Sequence, residues 1–293
     1  MPGLALLDPS FVRELEVLRR RFSPRARSGG PGEHLAKRRG GSAEFHEHRP
    51  YTQGDDLRRI DWAAYARSGE PVLKVFRAEE DVVARMICDC SASLDFGEPK
   101  KLDVLRRLAA ALGYMTLAES ERAQVVVAGA GTTRDLPPLR GRHGLPTLLR
   151  QLDALEAGGQ TDLARSIEGV VLRGARPGLL AVFSDFFDAG PWRGALSRAV
   201  AGGHDVVLVQ VLSAEDVSPS LEGDLALEDA ETGATIELVM DAATANAYAR
   251  RLAALYQELG AWARRHGATY VRARSDEPIA PVVRRMVARG VDE

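Results

Sequence analysis

Apolar and polar positions along most of this chain alternate between two rhythms, one of strands and one of helices. An apolar run at 82–88 is followed by Leu102, Leu105, Leu108, Ala109, Leu112 and Leu117, spaced to line one face of a helix over 101–119. Further apolar strands are predicted at 124–128, 178–184, 205–212 and 268–272, and helical periodicity at 145–155, 163–172, 191–201, 243–266 and 279–288. The stretch around Thr133 reads as a short antiparallel neighbour of the 124–128 strand. Strands separated by helices predict a doubly wound α/β fold, a mainly parallel sheet with helices on both faces. One insertion breaks the rhythm: LALEDAETGATIEL, at 225–238, alternates on both sides of Glu231-Thr232-Gly233 and predicts a β-hairpin.

The first eighty or so residues follow other patterns. Asp8, Pro9 and Ser10 mark a helix start, and Phe11, Leu15 and Leu18 continue it at helical spacing. The stretch 19–41 is rich in Arg, Gly and Pro and has no apolar period, so it reads as a basic flexible arm. Over 44–80, Gly54-Asp55-Asp56 marks a turn, Leu57, Ile60, Trp62 and Tyr65 are spaced as anchors on short helical turns, and VLKVF at 72–76 reads as a strand. The expected organisation is a leading helix with the basic arm over 1–43, a short segment packing on the main domain over 44–80, and the α/β domain over 81–293.

Composition narrows the function classes. With 293 residues, 45% hydrophobic and 27% charged, the chain can bury a sizeable core. A net charge of -2 gives no overall reason to expect a nucleic-acid or membrane-surface protein. The arm between Arg19 and Arg39 is locally basic, with Glu33 its one acid, but Phe22 is its one aromatic, which is poor material for base stacking. No stretch approaches the roughly 18 apolar residues of a membrane span, and the start lacks a secretory pattern, so a cytoplasmic, soluble protein is expected. Cys88 and Cys90 sit two apart on a strand, where side chains share a face but diverge; they read as buried apolar residues, not as a disulfide. His46 and His48 match no zinc spacing.

In a parallel sheet, ligands bind past the carboxyl ends of the strands. Asp89 stands at such an end and opens D-x-S-x-S with Ser91 and Ser93. Thr161 follows two glycines at a helix start, and Asp185 follows the 178–184 strand. Two carboxylates and three hydroxyls form an oxygen-only set, which suits a hard cation such as Mg²⁺ or Mn²⁺. In this order on an alternating α/β chain, Asp89, Ser91, Ser93, Thr161 and Asp185 resemble the metal-ion-dependent adhesion site (MIDAS) of von Willebrand factor A domains. The resemblance implies that the five gather around one divalent ion, some through water, and leave a position for an acidic side chain of a protein partner. That family commonly has glycine after the last aspartate, where this chain has Phe186.

A second resemblance lies in EFHEHRPYTQGDDLRRIDW and YARSGEPVLKVF. Glu44, Phe45, Arg49, Tyr51, Gly54, Asp55, Asp56, Arg58, Ile60, Asp61, Trp62, Ala66, Arg67 and Lys74 resemble the signature of the bacterial domain-of-unknown-function 58 family. That family joins the signature to a von Willebrand factor A-like domain. It implies a MoxR-type AAA+ ATPase as partner, in chaperone-like maturation or remodelling of other proteins. The arginines and aspartates of the segment read as a paired scaffold, with Trp62 and Tyr51 as its apolar anchors. The expected function is therefore a non-catalytic, divalent-metal-dependent protein-binding module. The alternative is a metal-dependent hydrolase or phosphatase with Asp89 as nucleophile. Asp89 is expected in a loop outside the core, so that Asp89→Ala leaves the fold intact.

Overall fold

The computed structural model describes residues 6–21, 44–77, 83–173, 176–187, 190–220 and 223–288. The basic arm expected at 19–39 lies outside them from residue 22 onward. The chain divides into two compact units, one of Gly29–Asp81 and one of Met1–Ser28 with Val82–Glu293.

Helix α1, Pro9–Leu18, begins as its sequence predicts: the Asp8 carboxylate accepts the amides of Ser10 and Phe11, both at 2.9 Å. It packs on helices of the larger unit through Phe11 and Leu15. In the smaller unit, strand β1, Glu44–Pro50, pairs antiparallel with β2, Val72–Arg77, and helix α2, Trp62–Ser68, lies between them in sequence. Here the structure adds a strand: EFHEHRP shows no apolar alternation, and its extended form is fixed by pairing with β2. Asp55 pairs with Arg49 at 2.7 Å, and the guanidinium holds its carboxyl well below the usual carboxylate range. The other two aspartates cap backbone instead, Asp56 taking the Arg58 amide and Asp61 those of Ala63 and Ala64. His48 Nε2 lies 2.9 Å from Asp61 Oδ2. Ile60 is buried, whereas Trp62, expected as an anchor, is 61% exposed and packs edge to face on Tyr65.

In the larger unit the elements follow in order: β3, Val83–Asp89; α3, Lys101–Ala118; β4, Arg122–Gly129; β5, Thr132–Asp135; β6, Leu139–Arg140; α4, Leu145–Asp153; α5, Leu163–Leu172; β7, Leu179–Ser184; α6, Trp192–Ala201. After these come β8, Asp205–Leu212; the single turn α7, Ala214–Val217; the hairpin of β9, Gly223–Glu228, and β10, Thr235–Met240; α8, Ala242–His266; β11, Thr269–Arg274; and α9, Ile279–Ala288. The sheet order is β11-β8-β7-β3-β4-β5, with β6 also on β4. Strands β11, β8, β7, β3 and β4 are parallel, and β5 and β6 join β4 antiparallel. This is the predicted doubly wound α/β fold.

Side chains alternate between two cores, as a strand's period of two requires. Met86 and Cys88 of β3 face the layer of α1, α3, α4 and α9, while Ile87 faces α5, α6 and α8. Cys88 and Cys90 are free and buried, and burial pushes the Cys90 thiol up to about 12. Among the described residues, no helix is long and apolar enough to cross a membrane.

Candidate functional site

Strand β3 lies between β4, which follows it in the chain, and β7, which comes later. The winding therefore reverses beside β3, which opens a crevice at the carboxyl ends of β3 and β7. Asp89 is the last residue of β3, and Asp185 directly follows β7. The parallel register, Arg85 against Leu180 through Cys88 against Phe183, brings these two ends level.

Asp89 and Asp185 are both 2% exposed. Asp89 Oδ1 accepts the Ser91 amide at 2.9 Å and its Oδ2 accepts the Ser184 hydroxyl at 2.6 Å. Asp89 is therefore built into the core, not held in an exposed loop, and truncating it to alanine strands two buried donors. Ser91 Oγ is 3.0 Å from Ser93 Oγ, and Ser93 donates to Asp185 Oδ2 at 2.9 Å. Four of the five expected residues thus form one connected set. The Thr161 hydroxyl donates to the Ala128 carbonyl at 3.0 Å, the acceptor that also takes the Cys90 amide. Its loop lies against the serine turn, with the Ala92 amide on the Gly159 carbonyl and the Gly158 amide on the Cys90 carbonyl, both at 2.9 Å.

Charge dominates this pocket. Burial, and then the neighbouring Asp185 charge, push the Asp89 carboxyl up to about 6. The counter-charge is Lys101, the first residue of α3, whose Nζ lies 2.9 Å from Asp185 Oδ2 and 3.0 Å from Asp216 Oδ2. Burial works against its charge, but the two carboxylates outweigh burial and hold its pKa above the ordinary lysine value. Asp216 is fixed in turn by a reciprocal cap with Ser213 at the start of α7. The Asp185 carbonyl accepts from Gln210 Nε2 at 2.9 Å, and Gln210 Oε1 accepts the Tyr270 hydroxyl at 2.6 Å.

A further carboxylate arrives from the hairpin. Glu231 hydrogen-bonds to Ser91 and lies in the field of Asp89 and Asp185. Partial burial first, and those two charges after it, raise its pKa above the usual value.

A donor set of this chemistry fits a hard divalent cation. Every group offered is an oxygen, and one buried ammonium faces the buried Asp89 and Asp185 and the nearly buried Asp216, so negative charge is in excess. Among the described residues, no cluster of three or more His, Cys, Asp or Glu is arranged to hold a metal ion; hydroxyls make up the rest of this set.

Ser184, Lys101, Asp216, Gln210 and Glu231 are absent from the sequence-based list. One signal was available for Lys101, since a lysine opening a helix opposes the helix dipole and needs a local acid to hold it there. Glu231 read as a turn residue, and nothing in its neighbours points to Ser91.

The model of a protein family of unknown function, DUF58, matches residues 47–258 of this chain. An uncharacterized protein of Mycobacterium tuberculosis is 31% identical over 288 residues, spanning 96% of this chain and 90% of that protein. The crystal structure of the conserved hypothetical protein BatB from Bacteroides thetaiotaomicron is similar with a TM-score of 0.44 and 14% identity, over 71% of this chain and 98% of that one. The von Willebrand factor type A structure from Catenulispora acidiphila is similar with a TM-score of 0.40 and 18% identity, over 73% of this chain and 43% of that one.

Proposed function

Because the chain belongs to the DUF58 family, whose function is unknown, we propose its role from its own site: a non-catalytic module that binds another protein through a divalent cation. Asp89, Ser91, Ser93, Thr161 and Asp185 hold the ion, Mg²⁺ or Mn²⁺. The ion supplies electrophilic character toward a carboxylate of the partner, because two protein carboxylates only neutralise it and hydroxyls add no charge. The observation that carries this reading is the connected set of Asp89, Ser91, Ser93 and Asp185 at the reversal of the sheet, with more buried negative than positive charge.

The family resemblance supports a MoxR-type AAA+ ATPase as the partner, in cytoplasmic, chaperone-like maturation of other proteins. A hydrolase with Asp89 as nucleophile has less support: an aspartyl nucleophile works with a second carboxylate two residues on, and that residue is Ser91.

The test is calorimetric titration of Mg²⁺ into the wild type and Asp89→Asn, a variant that keeps the shape of a buried, hydrogen-bonded side chain. The wild type is expected to give saturable heat, and the variant none, with both folded by circular dichroism. Equal heats from the two overturn the metal reading. Turnover of a phosphate ester that is lost in the variant overturns the non-catalytic one.

A further inference from the structure

The hairpin insertion is the feature that the proposed function leaves unused. Its strands pair from Gly223 against Met240 to Glu228 against Thr235, which leaves 229–234 as the connecting turn. Asp229 organises that turn by itself. Its side chain accepts the amides of Glu231 at 2.9 Å and Thr232 at 2.8 Å; its carbonyl takes the Gly233 amide and its own amide donates to Ala234, each at 2.8 Å. Within 229–234, Glu231 is the one residue that is not exposed. Its carboxyl is held at Ser91, the serine that also bonds Asp89 and Ser93.

Standing alone, this placement is unfavourable, since a third carboxylate is brought toward two buried ones. Lys101 sits between Asp185 and Asp216 and leaves the Asp89 side uncompensated. A doubly charged cation between the groups reverses the sign of the interaction and turns a repelled side chain into an attracted one. We propose that Glu231 is the site's own acidic ligand: the hairpin caps the ion from within, and an outside carboxylate has to displace it. This rests on the divalent-cation reading given above. Ion binding and hairpin docking then strengthen each other by the same factor, and the docked fraction lowers the apparent affinity for an acidic partner.

The probe is Mg²⁺ alone, on the full chain, with wild type, Glu231→Gln and Asp89→Asn. Glu231→Gln keeps the length and hydrogen bonding of the side chain on an exposed turn and removes its charge. In the wild type, Mg²⁺ is expected to slow amide hydrogen exchange both in 90–94 and along 223–240. In Glu231→Gln the slowing at 90–94 persists, that in the hairpin disappears, and calorimetry shows affinity lower by about tenfold, the scale on which groups supporting a metal site act. If Glu231→Gln matches the wild type in affinity and hairpin exchange while Asp89→Asn loses binding, the internal ligand is refuted and the cation site stands. If the wild type shows neither heat nor altered exchange, the cation site falls and the internal ligand with it.

Discussion

Phe186 adopts φ +59, in the left-handed region where glycine costs least, directly after Asp185. What holds a phenylalanine there is packing: it is 1% exposed and meets Trp192 edge to face, with centroids 5.8 Å apart. Strain and burial therefore oppose each other at one residue. Phe186→Ala is expected to lose about 3–5 kcal/mol, as a buried ring gives way to a cavity. Phe186→Gly should lose roughly 1 kcal/mol less, because the backbone strain goes with the ring. Denaturant melts of the two variants check this; alanine more stable than glycine refutes the strained backbone. At this scale the sequence showed the residues that end strands. Asp89, Ser91, Ser93 and Asp185 could be chosen because a parallel sheet collects its strand ends on one rim. Lys101 and Glu231 reach that rim from a helix start and a hairpin tip, and no spacing rule ties either to Asp89.

At the scale of elements, the strands of the sheet were legible because buried parallel strands are near-continuous apolar runs, as LLAVFS of β7 shows. Strand β1 was not, because a two-stranded ribbon of polar residues carries no such signal. The pairing of β3 with β7 depends on a close approach at their amino ends, where a Cβ on Gly178 would stand 2.4 Å from the Val83 carbonyl oxygen. Gly178→Ala is expected to force the strands apart there and cost about 1–3 kcal/mol. Five strand residues separate this position from Asp89, roughly 17–20 Å of chain. The variant should therefore melt earlier yet keep its Mg²⁺ affinity, as thermal melts and calorimetry can show. Loss of both in step contradicts an independent role for the site end.

For the whole molecule, His204 links stability to pH. It is 1% exposed, and burial first, then the Arg85 charge, hold its imidazole below the ordinary value of 6.5. The unfolded chain takes up this proton near pH 6.5 while the folded chain stays neutral, so the stability His204 allows is complete above that pH and is lost as pH falls below it. His204→Gln should flatten the acid side of the stability profile, by up to about 1.4 kcal/mol per pH unit. Denaturant titrations at a series of pH values check the slope, and an unchanged slope rejects the linkage.

The hydrogen bond between Ser93 and Asp185 joins residues 92 apart in the chain, across two parallel strands. A ribosome-bound chain therefore has no cation pocket until β7 has emerged and found β3, and Glu231 is made later still. Partner capture is thereby reserved for molecules that have finished folding, so the pocket also acts as a proofreading mark of completion.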